Sequence, residues 1–107
     1  MARLGKNLWR VGRLFDLAKD LPVMEVPIDH LNVWHIYKDI TLREMVMHIQ
    51  VVLDADLDYP IILDEDGEIL DGRHRLMKAI YMKRDTIKAV RFQENPDPCR
   101  RDDDATD

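Results

Sequence analysis

Residues 60–79, PIILDEDGEILDGRHRLMKA, hold two short apolar runs, an Asp-Gly turn between them, and then a glycine, two arginines and a histidine where a three-to-four residue apolar period begins. The runs at 60–63 and 68–70 are β-prone, and Asp64, Glu65, Asp66 and Gly67 between them predict a hairpin. Asp71 is placed to cap a following helix whose buried side is Leu76, Ala79 and Ile80. The first amides of a helix lack intrahelical partners and carry partial positive charge, so Gly72, Arg73, His74 and Arg75 at that helix head form a seat for an anion. A nucleotide phosphate is the anion this composition suits.

Outward from this stretch, residues 23–28 read as a strand ended by Pro27 and Asp29, and residues 31–37 fit neither template. From Thr41 to Leu53 the positions Leu42, Met45, Val46, Ile49, Val52 and Leu53 follow the helical period, and Thr41 with Glu44 is a capping-box signature. An acidic link, 54–59, leads to the hairpin, and 87–92 returns as a last strand. The order β, α, β, β, α, β predicts an α+β domain over 23–94, a small mixed sheet with helices.

Two segments flank that body. In residues 1–22, Leu4, Leu8, Val11, Phe15 and Ala18 recur at spacings of three and four, with Arg3, Lys6, Arg10 and Arg13 mostly off the stripe; a basic amphipathic helix over 2–21 is expected, weakened by Gly5 and Gly12. Packing on its own domain and docking on a partner chain or acidic surface both fit such a helix. Residues 95–107 have two prolines, clustered Asp and almost nothing apolar, and disorder is expected there.

Composition sets outer limits. A chain of 107 residues that is 46% hydrophobic supports one core. No run approaches the roughly 18 apolar residues of a membrane span, and the N-terminal residues lack the apolar stretch of a secretory signal, so a cytoplasmic protein is expected. Cys99 has no second cysteine to pair with and reads as a bystander. The net charge of -5 is unevenly spread: residues 1–20 carry five Lys or Arg against two Asp, and residues 21–94 carry nine basic against fourteen acidic side chains. Because DNA affinity comes largely from Lys and Arg displacing counterions, this acidic body disfavours tight direct DNA binding.

A strand with a V-P-I-like ending, a helix, a Pro-initiated hairpin, a G-x-H-R at the head of the next helix and a closing strand after D-T-I resemble the ParB/sulfiredoxin superfamily, over roughly residues 23–93. The sulfiredoxin segment G-C-H-R matches Gly72, Arg73, His74 and Arg75; the ParB G-E-R-R-x-R-A box grips nucleotide phosphates; and free-serine kinases of the superfamily carry a D-G-H-H-R-like run that Asp71 to Arg75 approaches. Sulfiredoxin chemistry is excluded, because its cysteine nucleophile is replaced by Arg73. The resemblance implies a stand-alone ParB-like, nucleotide-binding domain, a regulatory or adaptor module in DNA maintenance or a phage or plasmid process. It would bind ATP, ADP or CTP, with Mg²⁺ as an accompanying ion, and engage a protein partner through its basic N-terminal segment.

Within that resemblance each residue takes a task. Gly72, without a Cβ, lets an anion approach the backbone; the amides of Arg73 and His74 donate to phosphate oxygens; Arg75 neutralises charge; His74 donates a hydrogen bond or shuttles a proton. Lys38 and Thr41 are the nearest matches to the basic or hydroxyl side chain that other members bring from the first helix. Residues two apart on a helix point to nearly opposite sides, which favours Arg75 over Arg73. An ATP- or ADP-dependent phosphotransferase or hydrolase is the alternative, with Asp29, Asp71 or His74 as base; a ParB-like nuclease comes last. On local grounds alone, Asp71 capping the helix, Gly72 relieving crowding and the arginines pairing with the acidic turn Asp64, Glu65 and Asp66 or with Glu68 account equally well for the motif. The remaining histidines, His30, His35 and His48, are assigned no role. No metal site is assigned: Asp54, Asp56, Asp58 and Glu65 match a calcium loop in part, but Tyr59 stands where the turn glycine belongs. The Asp64–Asp66 turn reads as a solvated hairpin tip or, with Asp71, as a holder of Mg²⁺ beside a triphosphate.

Overall fold

The computed structural model describes residues 2–4, 7–32 and 39–101. In chain order they form β1 (Ala2–Leu4), β2 (Asn7–Trp9), α1 (Val11–Ala18), β3 (Met24–Pro27), a 3-10 turn (Ile28–His30), α2 (Leu42–Asp54), β4 (Ile61–Leu63), β5 (Ile69–Asp71), α3 (Arg73–Tyr81), β6 (Thr86–Arg91) and β7 (Arg100–Arg101). The predicted α+β class and the order from β3 to β6 are present.

Four strands make the main sheet in the order β3-β6-β4-β5. β6 lies antiparallel to β3, with Val26 opposite Ile87, and parallel to β4, with Ile61 opposite Ala89. Parallel neighbours need a crossover, and β5 with α3 supplies it. Where chain length predicted one core, alternation along these strands feeds two apolar clusters, one on each face of the sheet. Ile61, Leu63, Ile69, Ile87 and Ala89 face Leu76 and Ala79 of α3, while Ile62, Leu70, Val90 and Phe92 face Trp9, Leu14 and Ala18. Both faces of the sheet are therefore covered, which is why β4 reads as an unbroken apolar run. α2 is the least integrated helix. It contributes no buried residue and rests mainly on α3.

The N-terminal segment departs from expectation. Instead of one helix over 2–21, β1 and β2 form an antiparallel pair and the helix starts only at Val11, after an extended Arg10. Leu4 and Leu8 share a helical spacing with Val11 but sit on strands, a coincidence that a short window cannot resolve. The buried stripe of α1 is Leu14 and Ala18, while Phe15 is 46% exposed. This helix seals the second sheet face of its own domain.

Residues 95–101 also depart from expectation. Trp9 Nε1 donates to Pro96 O at 3.0 Å, Arg13 donates to Asp97 O, and β7 pairs with β2. Backbone carbonyls and amides make these anchors, so a composition that counts side chains gave no sign of them. Residues 102–107 lie outside the described residues. Among the described residues no helix is long and apolar enough to cross a membrane.

Candidate functional site

α3 begins at Gly72, whose φ of 111° is left-handed and closed to most L side chains. The first intrahelical bond runs from Leu76 N to Gly72 O, so the amides of Arg73, His74 and Arg75 precede the regular ladder. Gly72 has no side chain to cap them. Asp71, expected as the cap, instead ends β5 and accepts from Arg75 Nη2 at 2.9 Å. Of the two reasons expected for the glycine, the packing bears out relief of crowding: a Cβ on residue 72 would lie 2.5 Å from Ile61 Cγ2 and 2.8 Å from Ile61 Cβ, so the missing side chain lets the helix head close onto β4.

The helix head forms one wall of an open groove of about 340 Å³. Asp71, Gly72, His74 and Arg75 line it on one side, with Asp54, Asp56 and Tyr59 among the residues opposite. Arg75 is largely buried, and its Nε has no hydrogen-bond partner. Arg73 is exposed on another side of the helix, as its offset from Arg75 requires. Three carboxylates and one paired guanidinium thus surround the groove.

His74 meets α2. Its Nε2 lies 2.8 Å from His48 Nδ1, with the rings near-parallel and their centroids 5.1 Å apart. Burial holds the His74 imidazole below its ordinary range; the His48 ring adds to this, Asp71 opposes it, and Arg75 lowers it further. His74 therefore enters the site as a neutral ring near neutral pH. One turn on, Lys78 Nζ donates to Leu53 O and Ala55 O at 2.9 and 2.6 Å, satisfying carbonyls that the end of α2 leaves open.

No protein-family model, curated protein or solved structure matches this chain. The site is known through its own residues.

Of the expected site residues, Asp71, Gly72, His74 and Arg75 come together. Arg73 contributes its amide to the helix start but not its side chain to the groove. Thr41 is occupied elsewhere: its Oγ1 accepts from Glu44 N at 3.1 Å to cap α2, about 10 Å along the helix from His48. Lys38 lies outside the described residues. Asp64 is neither solvated nor turned to the helix head, being 1% exposed with Oδ1 accepting from the amides of Asp66 and Glu68, each at 2.8 Å. Neither arginine pairs with that turn.

His48, Asp54, Asp56 and Tyr59 escaped the sequence reading as site residues. The acidic link was visible in the sequence, but only the crossing of α2 over α3 puts it opposite Asp71. Cys99 is not a simple bystander: its Sγ accepts from Arg10 N at 3.4 Å and Arg13 Nη1 at 3.5 Å. The Arg10 amide bond and then Arg13 lower its thiol below the ordinary range. Among the described residues no three His, Cys, Asp or Glu side chains gather as a metal-holding group.

Proposed function

We propose that the groove at the head of α3 binds the phosphates of a nucleotide, and that the chain is a ParB-like binding module acting as a regulator or adaptor. The observation that carries this reading is the head of α3, where the Gly72 N-cap supplies no side-chain cap and Gly72, His74 and Arg75 line an open groove of about 340 Å³. Tyr59, 65% exposed on the opposite wall, offers a face on which a base stacks. The element order and the G-x-H-R position support the family. DNA maintenance, or a phage or plasmid process, is the setting the family resemblance suggests.

Charge decides the form of the ligand. A bare triphosphate would meet Asp54, Asp56 and Asp71, whereas a Mg²⁺-complexed one brings its own cation and uses one or two carboxylates in the usual way for that ion. The site residues fit Mg²⁺ arriving with phosphate, not a preassembled metal centre. Arg75 must leave or share Asp71 to reach a phosphate oxygen. Its buried, unpartnered Nε is a donor still to be satisfied.

Calorimetry with CTP, ATP and ADP, each with and without Mg²⁺, tests the proposal. Saturable binding of one nucleotide is expected, lost in Arg75→Ala with the circular dichroism spectrum unchanged. Asp71→Asn, which releases the guanidinium, is expected to tighten binding of the metal-free nucleotide. Absence of heat with all three nucleotides overturns the proposal.

His74 favours a second reading. A neutral imidazole beside the groove is in the protonation state of a general base, as a phosphotransferase acting on a hydroxyl substrate needs. Labelled ATP with free serine tests it. Product above the level of His74→Ala supports transfer, and equal levels exclude it.

A further inference from the structure

Leu42, Val46, Ile49 and Leu53 recur along α2 at spacings of four, three and four, which is the seam of a heptad pattern. At 100° per residue they occupy an arc of about 60°, along about 17 Å of helix. The structure leaves that seam uncovered: exposure is 89% at Leu42, 63% at Val46, and 50% at Ile49 and Leu53. Met45, His48 and Val52, on the side turned to α3, are only partly exposed. An apolar stripe of this order on a small acidic domain marks an interaction surface.

We propose that a second copy of this chain covers the seam, with the two α2 helices packed antiparallel about a twofold axis. The seam, the flanking charges and the grooves of α2 are all self-complementary in that arrangement, and the charges favour it over a parallel one. The seam is symmetric, so Leu42 meets Leu53 and Val46 meets Ile49 of the other copy. Charge is also matched. Arg43 and Asp54 lie within about 20° of each other around the axis and at opposite ends of the helix, so antiparallel pairing sets Arg43 of each copy beside Asp54 of the other. Both side chains are exposed. The helix dipoles then oppose, whereas parallel packing would align them and leave Arg43 of one copy at the far end of the helix from Asp54 of the other.

Shape follows the same symmetry. Along the α3 side of the seam, from Met45 to Leu53, runs an open, mostly apolar groove of about 350 Å³ lined by Met45, His48, Ile49, Val52, Leu53, Met77 and Tyr81. Leu42 is the most exposed apolar side chain on the helix. Antiparallel packing thus brings Leu42 of each copy against the Leu53 end of the other's groove, a contact made twice about the twofold axis. The contact area is small, so the dimer belongs to the weak, micromolar class.

Sedimentation velocity of the full chain, in reducing buffer from about 5 µM to about 500 µM, reads the association. A monomer–dimer equilibrium is expected, with association weakened about 100-fold or more by Ile49→Glu and by Leu42→Lys, while circular dichroism stays unchanged. Arg43→Glu is expected to weaken the dimer about 5- to 10-fold, and the double variant Arg43→Glu, Asp54→Arg to restore it. A monomer throughout the range overturns the proposal, as does a dimer indifferent to Ile49→Glu. Failure of the double exchange to restore association overturns the antiparallel register.

Discussion

His48 of α2 and His74 of α3 face one another with Nδ1 and Nε2 2.8 Å apart, so one ring donates and the other accepts. Two imidazolium rings would present N–H to N–H at that distance, and protonating both breaks the bond. The folded state lowers the His74 pKa, so in the window between that lowered value and the ordinary one near 6.5 the unfolded chain binds more protons. Stability is then full above the ordinary value and declines as pH falls through the window. The melting temperature is expected to drop between about pH 7.5 and about pH 5.5, with a shallower drop in His74→Gln; equal slopes would refute the assignment.

At Gly72, backbone and packing act in the same direction. Gly72→Ala adds a Cβ at 2.5 Å from Ile61 Cγ2 on a residue with φ of 111°. A loss of about 2–4 kcal/mol is expected from chemical denaturation. Ile61→Ala removes the Cγ2 contact but keeps the Cβ at 2.8 Å, so the added cost of Gly72→Ala is expected to be smaller, not absent, in that background.

Asp64 organises the β4–β5 hairpin from inside. Its side chain binds the Asp66 and Glu68 amides while its own backbone exchanges bonds with Glu68 and Gly67. Asp64→Ala leaves two amides without their acceptor and is expected to cost about 2–3 kcal/mol. Hydrogen exchange at residues 66 and 68 should accelerate ahead of the rest of the sheet.

The burial of α1 separates neighbouring residues. Leu14→Ala, in the core against Ile62 and Val90, is expected to cost about 2–5 kcal/mol, and Phe15→Ala less than about 1 kcal/mol. Reversal of that order in thermal melts would mean that the helix does not seal the sheet as described.

Cys99 should alkylate with iodoacetamide faster at about pH 7.5 than an ordinary exposed thiol, because its thiolate is favoured by the Arg10 amide and the Arg13 guanidinium. Arg13→Ala is expected to move the pH of half-maximal rate upward. An unchanged profile would show that the guanidinium has no hold on the sulfur.

Local patterns were legible where one element answers to its own residues. Thr41 caps α2 as its spacing to Glu44 predicts, the hairpin turns at Asp64 to Gly67, and the strand at 24–27 ends at Pro27. Reading failed where two rules competed over few residues. Leu4, Leu8 and Val11 satisfy a helical spacing, yet the first two lie on strands: β1 pairs with the neighbouring β2, and β2 in turn with β7, distant in sequence. The site divided in the same manner. Gly72, His74 and Arg75 could be named from the motif, but the Asp71 carboxylate that holds Arg75 was read as a helix cap, because both roles suit an acid at a strand–helix junction.

The sequence by itself determined the order of elements from β3 to β6, the start of α2 and the glycine at the head of α3, since hydrophobic period, capping chemistry and turn residues act over a few bonds. Only the tertiary structure decided what surrounds that helix head: a groove walled by Asp54 and Asp56, a histidine pair across two helices, and an N-terminal helix and returning tail that close the second sheet face. Those depend on contacts between residues far apart in the chain, and contacts at long sequence separation leave no local period to read.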